Sequence, residues 1–347
     1  MSNPRGDPSA YPPPVLIVGC PRSGTHLLAA SIGAAFGIAF PLETHFIPRF
    51  GQSRHLWGDL SLATNRRDML HDIYKYTRIW LRALPALDPL EKRDNSLLAT
   101  LPQAEKIIEA SNSFETMVVD LFQEFAATKG LARFGDKSVY YRPFPVDLTK
   151  RVFPKSFVIH LVRDGRAVSY SWRSTWFGPK SETAAAKLWS EHVDAYRGAA
   201  PGLGTRYLEI RFEDLVTAHE ETLGRIGLFL GVEGSRRAMA AADHSLAKAM
   251  SRLPGHTQLA QPPNPETAKR WRTGMSASNI ASFEKVAADQ LQKLGYEAAS
   301  SDQRPLRFFQ RLALAREAVS VPGVFRMGRE LVPTAMGWRR RLGRMGR

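Results

Sequence analysis

Cysteine is almost missing from this 347-residue chain. Cys20 stands alone, so no intrachain disulfide can form, and a reducing cytoplasm is the expected compartment. Long apolar runs are missing too: no stretch approaches the roughly 20 residues needed to cross a bilayer. The opening Met1 to Pro14 lacks the apolar core of a secretory signal, which leaves residues 1–13 as an expected disordered leader. The nine histidines are scattered, with His45 and His55 separated by a loop-like stretch rather than by ligand spacing, so no metal site is expected. Acids are scarce at the carboxyl end. Residues 301–347 hold eleven Arg, no Lys and three acids (Asp302, Glu317, Glu330), a surplus of eight within a net charge of +15. A basic body suits an anionic cofactor, and a basic tail suits an acidic surface such as a membrane, although a merely solvated face gives the same count. No nucleic-acid partner is expected.

The rest is globular in composition, with 44% hydrophobic, 10% aromatic and 23% charged residues. Val15–Gly19 reads as a buried strand entering a turn, and Gly24 to Phe36 as a helix closed by Gly37. Ile38–Phe40 looks like a short second strand. Residues 61–130 carry helical aromatic spacing broken at Pro85, Pro89 and Pro102, which predicts a helical insertion (about 55–130) over the site mouth. Ser156–Val162 and Arg206–Ile210 read as further strands. A helix should start at Gly165 or Arg166, and Glu220–Leu230 and Ser276–Leu294 read as amphipathic helices. This alternation predicts an α/β fold: a P-loop-like parallel sheet flanked by helices over 14–300, then a basic helical extension over 301–347.

The turn after the first strand almost matches the phosphate-binding pattern Gly-x-x-x-x-Gly-Lys-Ser/Thr. Gly19 and Gly24 keep the spacing, but Thr25 stands at the lysine position and His26 at the magnesium-ligand position. Such a loop suits a single 5′-phosphate better than a magnesium-bound triphosphate, and it carries its own cation, Arg22. A second anion site is expected at the end of the 156–162 strand. There Arg163 sits where ligands collect in parallel sheets, and Ser171, eight residues on, returns to the same helix face. The plainer alternative is an Arg–Asp surface pair with Asp164 as a helix cap.

Together these segments resemble the sulfotransferase superfamily that uses 3′-phosphoadenosine 5′-phosphosulfate (PAPS). Pro21 to His26 matches the family's phosphosulfate loop, and Arg163 with Ser171 matches its Arg-(x)7-Ser element. The likeness extends through Arg211–Val216, Glu221–Gly231, Lys269–Gly274 and Lys293–Tyr296. It implies that Arg22, Ser23, Gly24, Thr25 and His26 hold the 5′-phosphosulfate and that Arg163 and Ser171 hold the 3′-phosphate. It further implies that Lys269, Arg270, Trp271 and Arg272 form a late lid over the 3′-phosphate and adenine.

The branch most similar is the Arg-loop one that includes tyrosylprotein sulfotransferases and many bacterial carbohydrate and lipid enzymes. Its Glu-Thr-x-x-Ile-Pro element appears here as Glu43 to Pro48, 21 residues after Arg22. The resemblance implies that Glu43 is the general base, with His45 the competing one. Gly135 to Ser138 resembles the family's Lys-bearing turn, which implies that Lys137 reaches the transferring sulfuryl group; an exposed loop lysine is the alternative. His26 departs from the usual second hydroxyl of the loop, and Phe212 from a common Tyr.

The implied activity is O-sulfotransfer by in-line displacement without a metal, with Arg22 and Lys137 meeting charge on the departing oxygen. For the acceptor, a saccharide, glycolipid or other lipid-linked hydroxyl is expected. Trp57, Tyr74, Tyr76, Trp80, Tyr140, Tyr141 and Trp176 could line its pocket or be core. The Phe, Leu and Arg pattern over 304–347 suits an interfacial helix on the inner face of an anionic membrane; the competing reading is a tail that packs on the catalytic domain or forms an oligomer contact. A small-molecule P-loop kinase and a non-catalytic polyanion-binding relative stay open, as does the oligomeric state.

Overall fold

The computed structural model describes residues 11–82, 84, 87–139, 151–175, 178–232, 263–300 and 332–342. Its centre is strand β1 (Val15–Gly19), buried along its whole length, which is why the sequence there is a continuous apolar run. After it come α1 (Thr25–Phe36), β2 (Ile38–Ala39), α2 (Phe46–Ser53) and α3 (Ala63–Leu81). Next are α4 (Pro89–Asp94), α5 (Ala104–Ala110), α6 (Phe114–Thr128) and β3 (Arg133–Lys137). Then follow β4 (Phe157–Val162), α7 (Gly165–Trp172), α8 (Glu182–Leu203) and β5 (Tyr207–Arg211). The series continues with α9 (Phe212–Thr217), α10 (His219–Leu230), α11 (Glu266–Lys269), α12 (Trp271–Gly274) and α13 (Ala277–Lys293). Residues 332–342 form one more helix.

The strands pair in parallel in the order β2-β3-β1-β4-β5, with Ile17 opposite Lys137 and Gly19 opposite Leu161. All five carboxyl ends therefore meet at one edge. Alternation along β1 splits the core in two. Val15 and Ile17 pack with Leu28 and Ile32 of α1 and with Leu215 and Ile226 of α9 and α10. Leu16 and Val18 face the other way, against Phe46, Phe50, Met117, Leu121 and Phe122 of α2 and α6. Helices α7, α8 and α13 pack beside β4 through Val168, Trp189, Phe283 and Leu291. Local signals set the helix ends: Gly37 closes α1 in the left-handed region at φ 64°, and Ser113 opens α6 with a capping box.

The expected helical insertion is present, and its helices share one apolar core with Leu16, Val18, Phe134 and Val158 of the sheet. Two expectations resolve. Trp57, Tyr74 and Tyr76 belong to that core and are buried, so they line no acceptor pocket; Tyr140, Tyr141 and Trp176 lie outside the described residues. The Lys-bearing segment is the end of β3 rather than a turn. Its register against β1 buries Lys137 at the carboxyl edge, so it is not an exposed loop lysine.

Within the basic extension, helix 332–342 packs on this same insertion. Val332 and Met336 meet the core, and Gly337 lies so close to Leu56 and Trp57 that a larger residue would collide with them. Arg340 donates from Nε to Asp72 Oδ2 and from Nη1 to Asp68 Oδ1, both at 3.1 Å. Residues 1–10, 301–331 and 343–347 lie outside the described residues, and with them most of the expected leader and extension.

Candidate active site

The loop between β1 and α1 brings its backbone unusually close to its neighbours. A Cβ on Gly19 would come within 2.6 Å of the Leu161 carbonyl oxygen, and one on Gly24 would collide with the Phe212 ring. Gly24 also holds φ 94°, which favours glycine, while Arg22 adopts φ 72° despite its side chain, a conformation the surrounding packing must hold in place. No side chain caps the start of α1, so its first N–H groups remain directed at the loop. Ser23 is buried and its Oγ has no hydrogen-bond partner among the described residues.

The segment after β4 converges on this loop. Arg163, just past β4, donates from Nη1 to the Arg22 carbonyl at 3.1 Å and from Nη2 to the Thr267 carbonyl at 2.7 Å. Its guanidinium lies over the Phe212 ring at 4.2 Å, and its Nε has no partner among the described residues. Burial lowers its pKa to about 10, which still leaves it cationic at neutral pH. Two helical turns on, Ser171 Oγ accepts from Arg22 Nε at 3.0 Å. Phe212, in place of the family's common Tyr, thus gives up a hydroxyl but supplies the platform that flattens Arg163 against the loop. Asp164 does cap α7, so the plainer reading of that residue holds alongside the convergence.

Beside the loop lies a compact titratable cluster. Lys137 Nζ donates to Glu43 Oε1 and to His26 Nε2, the latter at 2.7 Å. His45 Nε2 lies 3.0 Å from the other carboxylate oxygen, Glu43 Oε2. Burial alone would raise the Glu43 pKa. The Lys137 charge, then His45 and His26, outweigh that and hold it well below the usual carboxylate range. Burial lowers Lys137, with Glu43 opposing. Asp136, fully buried on β3, is pushed up to about 7 by desolvation and accepts from Thr44 Oγ1 at 3.2 Å. His26, expected among the phosphate ligands, is turned to Lys137 and so joins this cluster.

The late segment differs from its expected role. Trp271 is buried in a small core with Ala167, Met275 and Ile280, and Arg166 lies over its ring at 4.2 Å. That indole is a packing residue and offers no open face to an adenine. Its neighbours Arg270 and Arg272 are exposed. Sequence reasoning also missed Asp136, Thr44 and the Thr267 carbonyl. Thr44 lay within the quoted Glu-Thr element, but only parallel pairing of β3 brings Asp136 under it. Among the described residues, no group of three His, Cys, Asp or Glu side chains is set to hold a metal, and no helix is long and apolar enough to cross a membrane.

Residues 13–236 match the model of the Sulfotransferase family. The chain belongs to that family. Among solved structures, this sulfotransferase is similar to the sulfotransferase domain of the olefin synthase of Synechococcus PCC 7002. The two are 23% identical with a TM-score of 0.53, over 83% of this chain and 96% of that one. It is similar also to the sulfotransferase domain from the curacin biosynthetic pathway, at 19% identity and TM-score 0.53, over 83% and 99% of the two chains. At these identities the two structures speak for the fold. A search of curated proteins gave no match. The family match ends before Trp271, so the late segment rests on the structure alone.

Proposed function

We propose that this sulfotransferase takes its sulfuryl group from PAPS and delivers it to a hydroxyl acceptor, with Glu43 as general base. The observation that carries the reading is the Glu43–Lys137–His26 cluster standing beside an anion loop at the carboxyl edge of the sheet. The loop suits the donor: among the described residues Ser23 Oγ and Arg163 Nε have no hydrogen-bond partner and no side chain caps α1. Arg22, Ser23, Gly24 and Thr25 would hold the 5′-phosphosulfate, and Arg163 with Ser171 the 3′-phosphate. Arg270 and Arg272 would supply the cationic part of the lid.

When bound, PAPS supplies a sulfuryl group whose sulfur–oxygen bond to the 5′-phosphate is the one that breaks. Glu43 accepts the acceptor's hydroxyl proton as its oxygen attacks sulfur. Arg22 and Lys137 meet the charge that develops on the departing oxygen, an electrostatic role. Drawing Lys137 toward the sulfuryl oxygens removes the strongest charge holding the Glu43 pKa down. Base strength and leaving-group stabilisation then rise together.

For the acceptor, a saccharide, glycolipid or other lipid-linked hydroxyl remains the proposal, with the enzyme in the cytoplasm and docked on the inner membrane face. Helix 332–342 supports this by its outward face: Trp338 and Leu342 are exposed, and Arg341 lies over the Trp338 ring at 5.6 Å. Labelled PAPS incubated with cell extract and membrane fractions, followed by mass spectrometry of the product, tests both donor and acceptor. Binding of ATP-magnesium in preference to 3′,5′-ADP would point instead to a kinase. Donor binding without transfer to any fraction would point to a non-catalytic relative.

A further inference from the structure

The Glu43-Thr44-His45 segment is held more firmly than a base alone requires. His45 turns the chain at φ 51°, in the left-handed region that side chains seldom adopt. Its carbonyl accepts from Arg49 Nη1 at 2.5 Å, and Thr44 is tied to Asp136. The imidazole is 1% exposed, with the Trp80 ring meeting it edge-on at 4.2 Å. A ring so enclosed cannot meet an acceptor hydroxyl, so His45 does not serve as the base. Its Nε2 instead lies 3.0 Å from Glu43 Oε2, the oxygen that Lys137 leaves unengaged.

The groups that face this pair are Arg22 from the loop, His26 from α1, Arg49 from α2, and Asp136 and Lys137 from β3. Burial above all, opposed by Glu43 and seconded by the Arg49 and Lys137 charges, disfavours a charged imidazole; its pKa falls to about 4. A neutral ring has one N–H to give. A carboxylate held at one oxygen only would still turn about its broad terminal torsion.

We propose that His45 is a positioning residue for Glu43, its neutral imidazole donating Nε2–H to Oε2 so that Oε1 stays aimed at Lys137 and the incoming hydroxyl. This rests on the reading of Glu43 as the base.

Two substitutions separate this role from a merely structural one. The Gln side-chain amide reaches about as far as Nε2, whereas Asn reaches only about as far as Nδ1 but is at ease at positive φ. Turnover is read as release of labelled sulfate from PAPS, with water as acceptor. His45→Gln should keep turnover within about fivefold of the parent, while His45→Asn lowers it roughly 10- to 100-fold with the KM for PAPS unchanged. If the strained turn were all that mattered, Asn would equal or exceed Gln, and the proposal would fall. An activity-independent readout uses long-range proton–nitrogen spectra of histidine-labelled full-length protein, with the His45 signals identified by their loss in His45→Gln. A neutral ring protonated at Nε2 between about pH 5 and 8 is expected. A charged ring, or one protonated at Nδ1, overturns the proposal even where turnover is too slow to measure. Glu43→Gln run beside these variants keeps the two readings apart. Full activity there removes Glu43 as base, while the spectra still report on His45.

Discussion

Replacing Arg163 by Ala should weaken a nucleotide with a 3′-phosphate more than one without it. In the structure the guanidinium is already flattened on Phe212 and tied to two backbone carbonyls, with Nε unpartnered among the described residues, so it is ordered before any ligand arrives. Little conformational entropy is then lost on binding, and most of a charge-assisted contact should appear as affinity. Such a contact contributes about 1.5–3 kcal/mol, or roughly 10- to 150-fold in Kd. The substitution also removes the two bonds to the Arg22 and Thr267 carbonyls, which loosens the loop and weakens every nucleotide somewhat. A difference measurement isolates the phosphate. Isothermal titration of parent and variant with 3′,5′-ADP and with 5′-AMP should show the first weakened by about 10- to 150-fold beyond the second. Equal weakening of both would mean that Arg163 only braces the loop, and unchanged selectivity would place the 3′-phosphate elsewhere.

Glu43→Gln keeps the shape of the site and loses its basicity, so turnover with a verified acceptor should fall roughly 100-fold or more while 3′,5′-ADP affinity measured by titration barely moves. Arg22→Ala should instead weaken the nucleotide and slow turnover together, because in the proposed mechanism the same cation engages bound donor and departing charge. Asp136 has its folded pKa raised to about 7 against 3.8, so the folded state holds a proton that the unfolded chain releases between those values. Stability from this group is therefore full below about pH 4 and declines as pH rises to about 7, by roughly 2–4 kcal/mol. Asp136→Asn should flatten that slope in denaturant unfolding followed at several pH values. Arg340→Ala breaks a half-buried contact to Asp68 and Asp72 and should cost about 1 kcal/mol, seen as a Tm lower by a few degrees. Flotation of the full chain with anionic and neutral vesicles should show salt-sensitive binding to the anionic ones only. Equal flotation on both, or none, removes the membrane from the proposal.

Local rules carried much of this protein. The apolar run Val15–Val18, the glycines of the tight turn after it, and the Gly37 stop are short-range features, and each element they announce is present within a residue or two. Arg163 and Ser171, read together from their spacing, each bond Arg22 in the structure, one at its carbonyl and the other at Nε. Whether a lysine at position 137 is exposed or buried depends on strand pairing with residues some 120 positions away, which no local window contains. The same long-range pairing puts Asp136 under Thr44 and turns His26 toward Lys137. Trp57, Tyr74 and Tyr76 show the complementary ambiguity: helical aromatic spacing is the same whether the stripe faces a pocket or a core, and only the partner surface decides. By itself, then, the sequence determined the parallel α/β frame, its glycine loop and the sulfotransferase family. Only the tertiary structure decided which of them touch and which are sealed from water, because burial and charge pairing are properties of surfaces brought together from distant parts of the chain.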